Sequence, residues 1–446
     1  MHSDSSSAAS SSAASAPRSI GLWTATALVV GNMIGSGLFL LPSSLAPYGG
    51  ASALGWTIST IGALLLAATF ARLGQCVPAA SGGPYAFARA AFGDATGFVV
   101  AWCYWISIWS AVPAIAIALT GYAGAVVPSL TATPLRAALS AIVFLWLCIA
   151  FNLRGLRTAG GVQLITTALK VIALAAFAFA GLVLVAPAGS AAAAPFNPSG
   201  QSLLQVALAT SALTLWAFLG LESATVPAAA VRDPQRTVPR ATLLGTAVAI
   251  AITIAACSAV LRLVPPESLA SSGAPFVDAV RRLLGEGAGE VVAVVAALTC
   301  LGALNGWVLM SGQLPLAIAR DGLFPAVFAR TDASGTPTAG LLIGGALSSL
   351  LVVANFNASL VGLFTWAILL STAASLLPFL VCALALLKLQ RDQPRPAVIA
   401  TLAALFAAYA LVGTGTQALA WGTVLLAAGL PVYAWMRRRR AAVQAA

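Results

Sequence analysis

The 446 residues are 60% hydrophobic and 7% charged, with a mean hydropathy of +0.97. A soluble domain carries about 25% charged residues and a disordered chain is far less apolar. A transmembrane β-barrel would show short alternating segments in place of long apolar runs. The composition therefore specifies an all-α polytopic membrane protein. The formal net charge of +11 then marks cytoplasmic loops, not a nucleic-acid partner.

Residues 1–18 are rich in Ser and Ala and end at Pro17-Arg18. They read as a disordered cytoplasmic tail, since a basic segment with an adjacent apolar core, as in a cleavable signal, is missing. At about 20 apolar residues per crossing, the remainder divides into twelve spans. The first covers about 20–45 and the second 52–73. The third, 95–126, is long. The fourth covers 135–152, the fifth 160–186 and the sixth 202–230. The seventh covers 240–264, the eighth 287–318 and the ninth 339–355. The tenth covers 358–388, and 397–413 and 418–436 complete the set. Residues 19–436 form one membrane domain and 437–446 a second cytoplasmic tail.

Charge placement supports this count. With the N-terminus inside, seventeen Lys and Arg fall in cytoplasmic segments and four in external loops: Arg136, Arg262, Arg281 and Arg282. Lys170 stays within a span. A bias of this size puts both termini in the cytoplasm.

Two spans are interrupted. Span one carries Gly35-Ser36-Gly37 at mid-depth, and glycine weakens a helix by about 1 kcal/mol against alanine. In lipid, backbone groups freed by a break are tolerated only where they line a cavity or meet a partner. A half-helix starting near Gly37 would direct N–H groups at an anion. Free carbonyls near Met33 and Ile34 would suit a cation, so the pair fits an α-amino acid. Close helix approach through Gly-x-Gly is the alternative. Span six carries Gly220 and Glu222 in Leu-Trp-Ala-Phe-Leu-Gly-Leu-Glu-Ser, with the break near 219–223. Breaks in spans one and six match two inverted five-helix units, about 20–186 and 202–388, followed by two extra helices at about 397–436. Inversion of this kind underlies alternating access about a mid-membrane site.

Glu222 is the carboxylate placed within a span, where it costs about 2.5–3.5 kcal/mol on insertion scales. It reads as a protonation switch or gate, or as a cap on the second half of the broken helix. Lys170 lies where its ammonium can meet carbonyls freed by a break, or it snorkels toward the cytoplasm. Trp216 and Trp307 either cover a substrate or pack as interface aromatics. The six cysteines lack metal-site spacing, and the one histidine, His2, lies in the tail. Neither a triad nor a metal site is expected, so the chain reads as a non-enzyme with no cofactor. A receptor would add a signalling domain, and a channel would show a filter or a charge ring.

Several stretches carry a resemblance. Gly31-Asn32-Met33-Ile34-Gly35-Ser36-Gly37-Leu38-Phe39 is similar to the first-span signature of the amino acid–polyamine–organocation transporters. Ser81-Gly82-Gly83-Pro84-Tyr85 resembles their loop after span two. Trp216 through Glu222, Asp233-Pro234-Gln235-Arg236, Asn305-Gly306-Trp307 and Ala319-Arg320-Asp321-Gly322 complete the set. Within the superfamily the chain resembles the bacterial arginine/agmatine antiporter and basic amino acid/polyamine antiporter group. The resemblance implies a LeuT-like fold in the bacterial inner membrane, and a homodimer that nothing in the residues themselves demands.

It further implies that Ser36 and Gly37 hold a substrate carboxylate, while main-chain carbonyls of Met33, Trp216 and Leu219 hold the ammonium. Trp216 would close one side of the pocket and Trp307 would stack on the side chain. Ser371 would touch the distal end. Tyr104 with Glu222 would form a gate, and Tyr85 would sit in a pH-sensing cytoplasmic region. Val112 and Phe379 stand where that group has an asparagine and a tyrosine, which makes the distal pocket more apolar and weighs against arginine, while Glu222 as the one counter-charge disfavours unprotected polyamines. Lys170 instead resembles proton-coupled permeases. The expected function is antiport of amino acids or amines, of arginine/agmatine type. The alternative is a proton-coupled permease for neutral amino acids.

Overall fold

The computed structural model describes residues 20–35, 37–77, 83–154, 159–184, 195–226, 231–333 and 335–445. Among them the chain is helical, with one isolated bridge between Ile20 and Val231. The first half comprises α1 (Leu22–Met33), α2 (Gly37–Leu45), α3 (Ser52–Cys76), α4 (Pro84–Phe92), α5 (Asp94–Val126), α6 (Pro134–Leu153) and α7 (Ala159–Phe179). The second comprises α8 (Leu203–Trp216), α9 (Pro234–Leu263), α10 (Pro266–Ala270), α11 (Pro275–Leu284), α12 (Glu286–Arg320), α13 (Thr338–Ala354) and α14 (Leu360–Leu389). Then come α15 (Pro394–Gly413) and α16 (Gly415–Ala445). Eight apolar stretches are long enough to cross a bilayer, and four shorter apolar helices join them. The chain is a polytopic membrane protein.

Local signals set the helix ends. Ser202 and Gln205 cap α8 reciprocally, which satisfies two N–H groups that the helix itself cannot. Thr133 and Ser359 accept from the first turns of α6 and α14. Proline stands at the first position of α6, α9 and α15, where its missing N–H costs nothing.

The core is built on α5, buried along most of its length, with α12 and α14 packed against it. Three prolines inside helices show how this core satisfies its backbone. A helical proline frees the carbonyl four residues earlier, and lipid offers that carbonyl no partner. Pro113 frees the Trp109 carbonyl, which takes the Ser348 hydroxyl of α13 at 2.7 Å. Pro315 frees the Ser311 carbonyl, which takes the Trp105 indole N–H of α5 at 3.0 Å. Pro239 frees the Gln235 carbonyl, which takes the Gln75 amide of α3 at 3.4 Å. Each bent helix is thereby tied to the neighbour that completes it.

The stretches read from sequence agree with helices to within six residues, except at span six and at the last, where α16 runs on to Ala445 through the stretch read as a tail. In span six α8 stops at Trp216, so the break opens at Ala217 and not at 219. Of the expected second half the described residues show a 3-10 turn, Ser223–Thr225, and residues 227–230 lie outside them. From Ala217 the backbone bonds tighten to a three-residue spacing, and Gly220 then takes a left-handed conformation, with φ at 100°. Glu222 stands at the N-cap position of that turn, with no side-chain cap hydrogen bond.

Replacing Ser348 with alanine leaves the Trp109 carbonyl buried without a partner. Thermal unfolding of the purified variant should show a loss of about 1–3 kcal/mol.

Candidate functional site

The first break begins where Ile34, at φ −79° and ψ 64°, leaves helical geometry after α1. Its N–H still bonds the Val30 carbonyl at 2.8 Å. Beyond it α2 restarts at Gly37, and Ile34 and Gly35 between the two helices are non-helical. Ser36 lies outside the described residues. The Lys170 ammonium, on α7, donates to the carbonyl of Gly31 at 2.7 Å. Gly31 is in the last turn of α1, where carbonyls have no N–H four residues on. A fixed ammonium therefore stands at the negative end of the broken helix, as the dipole favours.

The second break tightens before it turns. Ala217, Phe218 and Leu219 each bond the carbonyl three residues back, at 3.1, 2.8 and 3.2 Å. The Trp216 carbonyl thus already accepts from Leu219. Gly220 then takes a left-handed conformation. A side chain on Gly220 would stand 3.1 Å from Asn32 Cβ and 3.4 Å from the Met33 nitrogen. The backbone of span six touches span one at the break itself, and only glycine fits both the dihedral and the approach. Beside it, the Asn32 amide donates to the Ser223 hydroxyl at 2.8 Å. The two breaks form one polar locus.

Other side chains converge there. Tyr104 of α5 donates to Glu222 Oε1 at 2.8 Å, and both residues are buried. Glu222 Oε2 has no hydrogen-bond partner among the described residues. The Trp307 indole nitrogen of α12 lies 3.9 Å from where a side chain on Gly35 would begin. Trp216 meets Phe364 edge to face at 5.6 Å. The remaining expected residues differ. Ser371 donates to the Ser107 carbonyl at 2.8 Å, so its proton is committed to α5. Val112 is buried on α5. Phe379 turns to Phe70 of α3 at 5.3 Å. Asn32, Ser223 and the Gly31 carbonyl were not singled out from sequence, although Asn32 lies within the first glycine motif.

Each flank is closed by a phenol. On one side the buried Tyr122 hydroxyl donates to the Phe39 carbonyl at 2.8 Å and accepts the Phe276 N–H at 3.4 Å. Phe39 packs edge to face on Tyr122 and on Phe276, at 5.4 and 5.6 Å. On the other side Tyr85 of α4 donates to Asp321 Oδ2 at 2.7 Å. Asp321 ends α12 and was likewise missed as a partner. Burial, followed by the bond to the Asp321 carboxylate, pushes the Tyr85 phenol above its ordinary value.

A broken-helix pair with a fixed ammonium, a buried carboxylate and flanking aromatics suits a zwitterionic or amine ligand. The comparison with known proteins agrees. A family profile described as amino acid permease matches residues 20–434. The chain belongs to this family. A Bacillus subtilis (strain 168) protein, named as a candidate arginine/ornithine antiporter, is 32% identical, over 94% of this chain and 97% of its own. The putrescine transporter PotE of Haemophilus influenzae is also 32% identical, over 94% and 97%. The cadaverine/lysine antiporter of Escherichia coli K12 is 35% identical over 76% of this chain and 75% of its own. The permease is a multi-pass transporter of amino acids or amines in the bacterial inner membrane.

Two outcomes follow from the geometry. Tyr104→Phe removes the donor to Glu222, and thermal unfolding should register a loss of about 1–3 kcal/mol. Tyr85 contributes stability that is present below the ordinary phenol range near pH 10 and is lost as pH rises toward its folded value. Alkaline unfolding of Tyr85→Phe should therefore be less steep with pH than that of the parent.

Proposed function

We propose that this permease is an antiporter that exchanges amino acids for related amines by alternating access, in the manner of the arginine/agmatine exchangers. The observation that carries the reading is the meeting of the two breaks, with Gly220 against Asn32 and Met33. Two interrupted helices that pair at mid-membrane give a site whose donors and acceptors come from main chain. Ser36 and Gly37, at the start of α2, hold the substrate carboxylate. The carbonyls of Met33, Trp216 and Leu219 hold its ammonium. Trp307 and Trp216 cover the substrate, and Ser371 offers an acceptor oxygen at its distal end. Glu222 and Tyr104 form the gate, and Tyr85 governs the cytoplasmic flank. The architecture belonging to this reading has twelve spans, as two inverted five-helix units and two further helices, with both termini in the cytoplasm.

Substrate charge follows from the same residues. Relatives named for basic amino acids and diamines direct the reading to cationic substrates. Glu222 Oε2, unpartnered among the described residues, is the counter-charge the site offers. One observation favours a second reading, the proton-coupled permease for neutral amino acids: Lys170 already fills a cation position at the Gly31 carbonyl.

Proteoliposomes loaded with labelled arginine or lysine separate the two. Exchange predicts release only when an amino acid or amine is supplied outside. Release without external substrate, or uptake driven by a pH gradient alone, would reject exchange, and the latter would select the permease. A Trp307→Ala variant should raise the half-saturating substrate concentration at least tenfold, since the stacking face is lost.

A further inference from the structure

Beyond the Tyr122 clasp lies a second cavity, of about 440 Å³. Small-molecule sites fall within about 300–1,000 Å³. Four parts of the chain meet around it: the Val126 end of α5, the start of α6, the loop from α10 into α11, and the turn before α14. Its rim, at Thr133, Ala358 and Ser359, is exposed, and its floor, at Ser272 and Ala274, is buried. The clasp stands behind that floor. Tyr122 follows Gly121, and Phe276 lies between Ala274 and Asp278, and these three neighbours all line the cavity. The Tyr122 hydroxyl accepts the Phe276 N–H and donates to the carbonyl of Phe39, two residues on from the start of α2. The cavity and the first broken helix thus lie on opposite sides of one clasp.

Among the described residues its lining holds one carboxylate, Asp278, and one guanidinium, Arg281, both on α11 and both half-buried. They are not a closed pair. Arg281 puts its Nε on Glu286 Oε2 at 3.0 Å, whereas its Nη1 stands 4.0 Å from Asp278 Oδ1, beyond hydrogen-bond length. Asp278 Oδ2 takes the Ser272 hydroxyl. The carboxylate is therefore anchored by one oxygen and offers the other. Two hydroxyls offer the converse. Thr133 and Ser359 accept the N–H groups of Arg136 and Gly362, at 3.2 and 3.1 Å, and neither donates to a partner among the described residues. A hydroxyl that has accepted still has its proton to give. The loop and the rim are close: a side chain on Gly273, next to Ser272, would meet Leu360, next to Ser359, at 3.6 Å.

We propose that this cavity is a second binding site, which takes a free α-amino acid outside the Tyr122 clasp. Asp278 Oδ1 accepts from the α-ammonium, Thr133 and Ser359 donate to the carboxylate, and the side chain stays in the open mouth. A hydrogen bond between charged groups is the stronger kind, so Asp278 supplies most of the hold. The anchor also reaches the broken helix. The carbonyl of Ser272, whose hydroxyl holds Asp278, takes the Ser43 hydroxyl of α2 at 2.8 Å. Asp278, Ser272 and Ser43 thus link the ligand to the half-helix that begins at the first break. The use of the cavity as a waiting position before the clasp opens rests on the reading that the protein is an exchanger; the binding does not.

The test uses full-length protein with Ala358→Cys as a reporter at the rim, labelled by a hydrophilic methanethiosulfonate; the parent gives the background from its own cysteines. Lysine should slow the labelling, and should do so equally when Trp307→Ala has weakened the central site. No protection, or protection that disappears with Trp307→Ala, would overturn the proposal. Cadaverine, which lacks the carboxylate, should need about tenfold more for half protection, and so should lysine against Asp278→Asn, which lacks the charge. Equal protection by cadaverine would reject the carboxylate contacts, and with them an amino acid site. Equal protection of Asp278→Asn would reject the ammonium contact. If Asp278→Asn does not fold, the comparison of lysine with cadaverine on the reporter alone still decides. Protection in a protein that moves no substrate in proteoliposomes would reject the exchanger reading and keep the site, whereas exchange without protection would do the reverse.

Discussion

A helix broken inside a bilayer must find partners for its freed backbone within the protein, and the molecule is arranged around that requirement. Span one stops at Met33 and span six at Trp216. Each leaves main-chain groups within an apolar stretch, where lipid cannot compensate them. The solution is mutual. Gly220 lets the second break press on the first, Asn32 ties to Ser223, and Lys170 takes the Gly31 carbonyl. The polar groups that a ligand would use are thus held in place by groups that would otherwise be orphans.

The same rule organises the scaffold. Three of the in-helix prolines, Pro113, Pro239 and Pro315, each release a carbonyl that is taken by a side chain from a different helix. These ties run from α5 to α12 and α13 and from α9 to α3, so bends that would weaken a lone helix become the joints between helices. Such joints hold geometry without the hydrophobic driving force, which is absent between helices in lipid.

Much of this was legible in the chain. Spans follow from apolar length, and Gly35 and Gly220 mark the breaks because glycine amid apolar residues signals backbone held away from regular helix. Lys170 and Glu222 stand out because charge is rare at that depth. What the chain did not disclose was partnership. Asn32–Ser223 spans 191 positions and Tyr85–Asp321 spans 236, and no local pattern encodes such pairs. The end of α8 is a related case: the residues after Trp216 are apolar enough to extend a helix, yet from Ala217 the backbone bonds tighten to a three-residue spacing, ahead of the left-handed Gly220.

The two phenols that close the flanks differ in what they hold. Tyr85 grips a side-chain carboxylate, whereas Tyr122 grips a main-chain oxygen and a main-chain N–H. A clasp made with main chain is shielded from sequence drift in its partners. At the Tyr122 flank, Phe39 can change without removing the bonded oxygen, and Phe276 can change, short of proline, without removing the bonded nitrogen. At the Tyr85 flank either of two positions can abolish the bond. Inherited variation therefore has twice as many routes to loosen one face of the protein as the other.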